Sequence, residues 1–114
     1  MGKLVIFGID GGSPKLIEQW KDELPNPKKI MEKGVYGELE STFPPVTCPA
    51  WPAMFTGKNP GKLGIYDFIK YPNSQEQTLG LSSSLDYSSS AIWRMLNAYD
   101  KGVGLLNLPM TFPP

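Results

Sequence analysis

The sequence predicts an α/β layered domain, and three observations carry that prediction. Residues 3–9 (KLVIFGI) form a nearly continuous apolar, β-branched run that halts at Asp10-Gly11-Gly12. A strand covered on both faces of a parallel sheet reads this way. Residues 103–108 (VGLLNL) make a second such run. Between the two lie segments of helical spacing, started by proline and stopped by glycine, as helix ends commonly are.

Taken in order, Ser13-Pro14 opens a first helix, with Ser as N-cap, Pro in the first turn, and Leu16, Ile17 and Trp20 on its apolar face. A second starts at Asn26-Pro27, points Ile30 and Met31 inward and stops at Gly34. Residues 35–41 (VYGELES) alternate apolar and polar and read as a half-exposed strand. Pro44-Pro45 forces an extended entry to a helix that begins near Pro49, runs to Thr56 and ends at Gly57. Asn59-Pro60-Gly61 is a turn. Residues 71–90, rich in Ser, Asn and Gln, read as an exposed excursion. Ser89 or Ser90 then caps a helix carrying Ile92, Met95, Leu96 and Tyr99, closed by Gly102. The last strand is followed by PMTFPP, a loop only just begun, which reads as a truncation.

The 114 residues fit one modest domain with a core. Eleven basic residues balance eleven acidic ones, which argues against a nucleic-acid polymer or an anionic membrane as partner. The N-terminal apolar run is too short to span a bilayer and has no signal-peptide pattern. The single Cys48 excludes an internal disulfide and fits a reducing, cytoplasmic setting. Histidine is absent, so no Ser-His-Asp or Cys-His mechanism can be completed within these residues.

Two residues stand out chemically. Asp10 ends the first predicted strand, where open α/β sheets place their ligands, and Gly11 and Gly12 leave room beside it. Its simpler role is to close a turn. Thr47 stands just ahead of a helix, where amides and the helix dipole favour an alkoxide or a docked phosphate. Its simpler role is an N-cap. Cys48 shares that field, but a tyrosine-phosphatase loop needs Arg six residues on, and Met54 is there. Cys48 therefore reads as a packed small residue. The dehalogenase-type phosphatase signature fails because Gly8 occupies the nucleophile position. TGKNPGKL is one residue short of a phosphate loop and has Leu63 where that loop needs Ser or Thr. Lys58 and Lys62 read as solvated, and Trp20, Trp51 and Trp93 as core or interface residues.

Asp10 and Thr47, with LPNPKKIMEKG, ESTFPPVTCPAWPAMFTGKNPGKLGIYDF and NLPMTFPP, resemble the alkaline phosphatase superfamily. The resemblance is nearest to its type I phosphodiesterase/nucleotide pyrophosphatase branch, especially prokaryotic phosphohydrolase or phosphomutase members. It implies the N-terminal portion of an alkaline-phosphatase-like layered sheet flanked by helices, spanning residues 1–114. It further implies a phosphoester hydrolase with two divalent metal ions, zinc first and manganese as the alternative, acting on a small-molecule phosphoester. Asp10 and Thr47 would be metal ligands, Thr47 the nucleophile of a phosphothreonine intermediate, and the Cys48 amide a substrate contact. Leu63 replaces a usual His, and Asp67-Phe68 stands where the diesterase branch carries a substrate-binding Asn, which leaves monoester or mutase chemistry open. The remaining ligands of that family lie far downstream, so this portion alone is expected to be inactive. The alternative is a metal-free phosphate-binding or assembly domain.

Overall fold

The computed structural model describes residues 2–72, 78–87 and 91–113. The chain divides into two compact units, Met1–Glu40 and Ser41–Pro114.

The first unit holds α1 (Pro14–Gln19) and α2 (Pro25–Lys33). Ser13 sits at the N-cap position of α1 in extended conformation, and Pro14 follows it as expected, although the Ser13 side chain makes no capping bond. α2 starts two residues ahead of the expected Pro27, with Leu24 at its N-cap, so Asn26 lies inside the first turn. Gly34 ends α2, but in extended rather than left-handed geometry. Neither helix contains a fully buried residue. Ile30, expected inward, is exposed, and so are Leu16 and Trp20. The Tyr36 hydroxyl donates to the Pro14 carbonyl at 3.2 Å, and Lys28 Nζ bonds Asp22 Oδ1 at 2.7 Å. An exposed pair of the latter kind adds little stability.

The second unit contains α3 (Thr47–Thr56), α4 (Pro60–Leu63), β1 (Ile69–Lys70), β2 (Gly80–Leu81), a 3-10 turn (Ser84–Asp86) and α5 (Ile92–Ala98). β1 and β2 pair antiparallel, Ile69 opposite Leu81 and Lys70 opposite Gly80. The core consists of Cys48, Trp51, Phe55, Ile65, Tyr87 and Ala91, with Leu63, Trp93, Leu108 and Met110 packed on it. Phe55 is central: its ring lies 5.7 Å from Trp51, 6.5 Å from Tyr87 and 5.1 Å from Trp93, the last pair edge-on. Gly57 closes α3 at φ 66°, a left-handed conformation that a Cβ disfavours. Asn59-Pro60-Gly61, expected as a turn, starts α4, whose Lys62 amide donates to Asn59 Oδ1 at 2.9 Å.

The three expected strands, residues 3–9, 35–41 and 103–108, are not formed among the described residues. A strand exists only through a neighbour that accepts and donates along its length, and the ladder formed here is the short β1–β2 pair. The apolar run of residues 3–9 accordingly stays open, with Phe7 86 % exposed. The architecture is helices with a small two-stranded sheet, consistent with a partial α/β domain. Within the polar stretch 71–90, residues 73–77 and 88–90 lie outside the described residues, and with them the caps expected at Ser89 or Ser90. In the structure Ala91 occupies the N-cap of α5, and the helix closes at Tyr99 instead of Gly102. The same stretch contains Tyr87, one of the most buried side chains.

Truncating the centre of the cluster should be severe. Phe55→Ala is expected to lower stability by about 3–5 kcal/mol, read as a fall in the urea midpoint without a change in slope. A loss below ~1 kcal/mol would show that the cluster does not hold the second unit together.

Candidate active site

The site is built from the start of α3 outward. The extended entry expected at Pro44-Pro45 is not straight: the chain bends at Phe43 and Pro44, and the Thr42 hydroxyl donates to the Pro44 carbonyl at 3.0 Å. Val46, in extended conformation, is the N-cap, and the helix begins at Thr47 and not near Pro49. Thr47 is therefore the first helical residue and not an N-cap. The reason is local: a proline two residues later sits within the first turn, where its missing N–H leaves no intrahelical bond unmade. The first intrahelical bond runs from the Ala50 amide to the Val46 carbonyl at 3.2 Å.

Cys48, Pro49, Trp51, Pro52 and Phe55 are all buried, so α3 is anchored around most of its circumference. Thr47 is half-buried at its open end. First-turn amides, Cys48's among them, have no carbonyl partner within the helix and carry the positive end of its dipole. Together with a hydroxyl in the same turn, this geometry suits a phosphate or oxyanion.

The Cys48 thiol faces the other way. It is fully buried and lies 3.6 Å from Met110 Sδ. Burial pushes its pKa up; contact with the Ser82 hydroxyl partly offsets this, and the charges of Asp67 and Asp86 reinforce it. A thiol held protonated in an apolar pocket is a poor nucleophile, so the packed-residue reading of Cys48 fits the structure. Met110, at φ 64°, is held in turn by the Tyr87 hydroxyl, which donates to its carbonyl oxygen. Ser84 anchors the same segment: its amide donates to the Phe112 carbonyl at 3.0 Å and its hydroxyl to that of Pro113. Sequence inspection missed Tyr87 as a brace for this site, because it sits in a serine-rich stretch with no apolar periodicity around it.

Asp10 belongs to the first unit. It is exposed and precedes Gly11 at φ 66°, in a turn closed by the Gly12 amide donating to the Ile9 carbonyl at 3.2 Å. Asp10 and Thr47 each have an interaction of their own. Among the described residues no group of three or more Cys, Asp or Glu side chains is assembled to hold a metal ion. Lys58 and Lys62 are exposed, Trp51 is in the core, Trp93 packs on it and Trp20 is half-exposed. No described helix is long and apolar enough to cross a membrane.

Thr47 thus stands in the first turn of a helix anchored by the core. Comparison with known proteins gives the class. The family model for type I phosphodiesterase / nucleotide pyrophosphatase matches residues 4–105, so the chain belongs to that family. The mouse ectonucleotide pyrophosphatase/phosphodiesterase family member 3 is 28 % identical over 91 residues, which cover 79 % of this chain. The match spans only 10 % of that relative's length. No solved structure matches significantly.

Two titrations follow from the packing. Burial raises the Tyr87 pKa to about 12, against about 10 for a solvated phenol. The unfolded chain thus releases this proton first. The contribution of Tyr87 is whole below pH ~10 and is lost progressively towards pH ~12, on the order of 2 kcal/mol. Stability measured by denaturant between pH 9 and 11.5 should fall in the parent and fall less steeply in Tyr87→Phe; parallel curves would refute the assignment. Cys48 should react with a disulfide reagent at pH 8 at least about tenfold more slowly in the native protein than in urea. Equal rates would mean that the thiol is accessible.

Proposed function

We propose that the chain is the N-terminal portion of a phosphoester hydrolase in which Thr47 is the attacking group. One observation carries this reading: Thr47 occupies the first turn of a helix fixed by the core, in a chain that belongs to the type I phosphodiesterase / nucleotide pyrophosphatase family. In the proposed reaction the Thr47 Oγ–P bond forms in line as the P–O bond to the leaving group breaks. The departing oxygen takes the electron pair and the Thr47 hydroxyl proton passes to solvent; water then attacks the phosphorus as the P–Oγ bond breaks, giving a phosphate product and a Thr47 hydroxyl reprotonated by solvent. First-turn amides, with that of Cys48 as the chosen contact, would hold a phosphoryl oxygen.

The proposal includes divalent ions, zinc or manganese, with Asp10 and Thr47 among their donors and the other ligands supplied from beyond this chain. Bound metal would lower the pKa of a hydroxyl and offset phosphoryl charge. It also includes completion of the layered sheet, for which residues 3–9 are the candidate central strand, in a longer protein. The name of the mouse relative supports a phosphodiester or pyrophosphate substrate. A cytoplasmic setting rests on the single, reduced Cys48.

In the complete protein, Thr47→Ala should reduce hydrolysis of bis(p-nitrophenyl) phosphate by at least about a thousandfold, with the urea midpoint unchanged. Unaltered turnover would sink the nucleophile assignment, and a non-catalytic phosphate-binding or assembly domain would take its place.

A further inference from the structure

Two sulfur atoms meet under the start of α3. Met110 Sδ lies 3.6 Å from Cys48 Sγ, and the two differ in what reaches them. Cys48 is fully buried, and burial raises its pKa, so its reactive thiolate is scarce. Met110 is only partly buried at the edge of the same cluster, within reach of a small solute. Its thioether needs no deprotonation to be oxidised. Of the two sulfurs, an oxidant arriving from solvent therefore meets Met110 first.

Met110 is also held against its own backbone preference. Among the described residues the non-glycine positions at positive φ are Asp100, Asn107 and Met110. Asp and Asn visit that region through local hydrogen bonds, whereas a long apolar side chain seldom does. At Met110, φ 64° persists because the Tyr87 hydroxyl holds the carbonyl and the side chain is packed on the core. The other anchors of this segment are polar. Ser84 donates to the carbonyls of Phe112 and Pro113, and the Thr111 hydroxyl to that of Leu108 at 2.8 Å. Its apolar grip on the cluster comes from Leu108 and Met110.

We propose that Met110 is an oxidation-sensitive latch: its conversion to the sulfoxide releases residues 108–113 from the core and uncovers Cys48 and the first turn of α3. The oxidant is hydrogen peroxide. The Met110 sulfur lone pair attacks one peroxide oxygen, the S–O bond forms as the O–O bond breaks, and the departing hydroxide takes up a proton to leave as water. The sulfur loses the electron pair that the peroxide gains. The new sulfoxide dipole then stands against an apolar cluster and a weakly donating thiol, which solvate it poorly. The backbone at Met110 already favours another conformation, so little holds the segment in place. The latch rests on packing and is independent of the role given to Thr47.

The test treats the complete protein with hydrogen peroxide, removes it, and applies a pulse of N-ethylmaleimide. Peptide mass spectrometry reads the sulfoxide at each Met and the alkylation rate of Cys48. Met54 and Met95, both about half exposed, report that the oxidant has acted. Sulfoxide at Met110 should raise the rate at Cys48 at least about tenfold. The two methionine sulfoxide reductases, one for each epimer, should restore the slow rate. Met110→Leu keeps the volume without an oxidisable sulfur and should stay slow after the same treatment. Met110→Gln puts a polar side chain of similar length there and should be fast without peroxide. That variant and the reversal in the parent decide the matter should Met110→Leu not fold. Three results each overturn the proposal: Met110 stays reduced while Met54 and Met95 are oxidised, Cys48 alkylation ignores Met110 oxidation, or peroxide speeds it equally in Met110→Leu.

Discussion

Burial of α3 against Tyr87 and Trp93 is the interaction on which the second unit depends. Taken alone, the helix is a poor one: ten residues containing two prolines, Pro49 and Pro52, form few internal bonds. Pro52 cannot donate to the Cys48 carbonyl one turn back. The helix persists because Cys48, Trp51 and Phe55 leave water together and meet aromatic rings edge-on and tilted. The conformation at Thr47 is thus set from the core outward, and a residue at the open end of α3 inherits the rigidity of Phe55.

The segment from Leu108 to Pro113 closes this arrangement from a long way off in sequence. Met110 stands against the Cys48 thiol, Tyr87 holds the Met110 carbonyl, and Ser84 holds those of Phe112 and Pro113. The polar bonds lie where carbonyls would otherwise be left unsatisfied in a half-buried loop. Among the described residues, the first unit has no equivalent core. Its helices hold no fully buried side chain, and Leu4, Val5, Ile6 and Phe7 are open to water. Asp10 is accordingly placed by a glycine turn and not by a core.

Chemically, the first turn of α3 is asymmetric. Its inward side keeps the Cys48 thiol protonated and out of water, while the first-turn amides have no carbonyl partner within the helix.

Much of the local structure was legible from residue types with a direct stereochemical effect. Pro14 starts a helix, and Gly34 and Gly57 stop two more, because each acts through its own backbone and one or two neighbours. The family was legible too, in the long word around Thr47, and the match over residues 4–105 agrees with it. What the sequence could not determine was pairing. The apolar runs at 3–9 and 103–108 have the composition of buried strands, but a strand is a relation between two segments, and composition describes only one. Nor could it assign Tyr87 and Met110 to the neighbourhood of Cys48. Those contacts join positions up to 62 residues apart, and only the tertiary structure, by trading chain entropy for burial around Phe55, decides which distant residues meet.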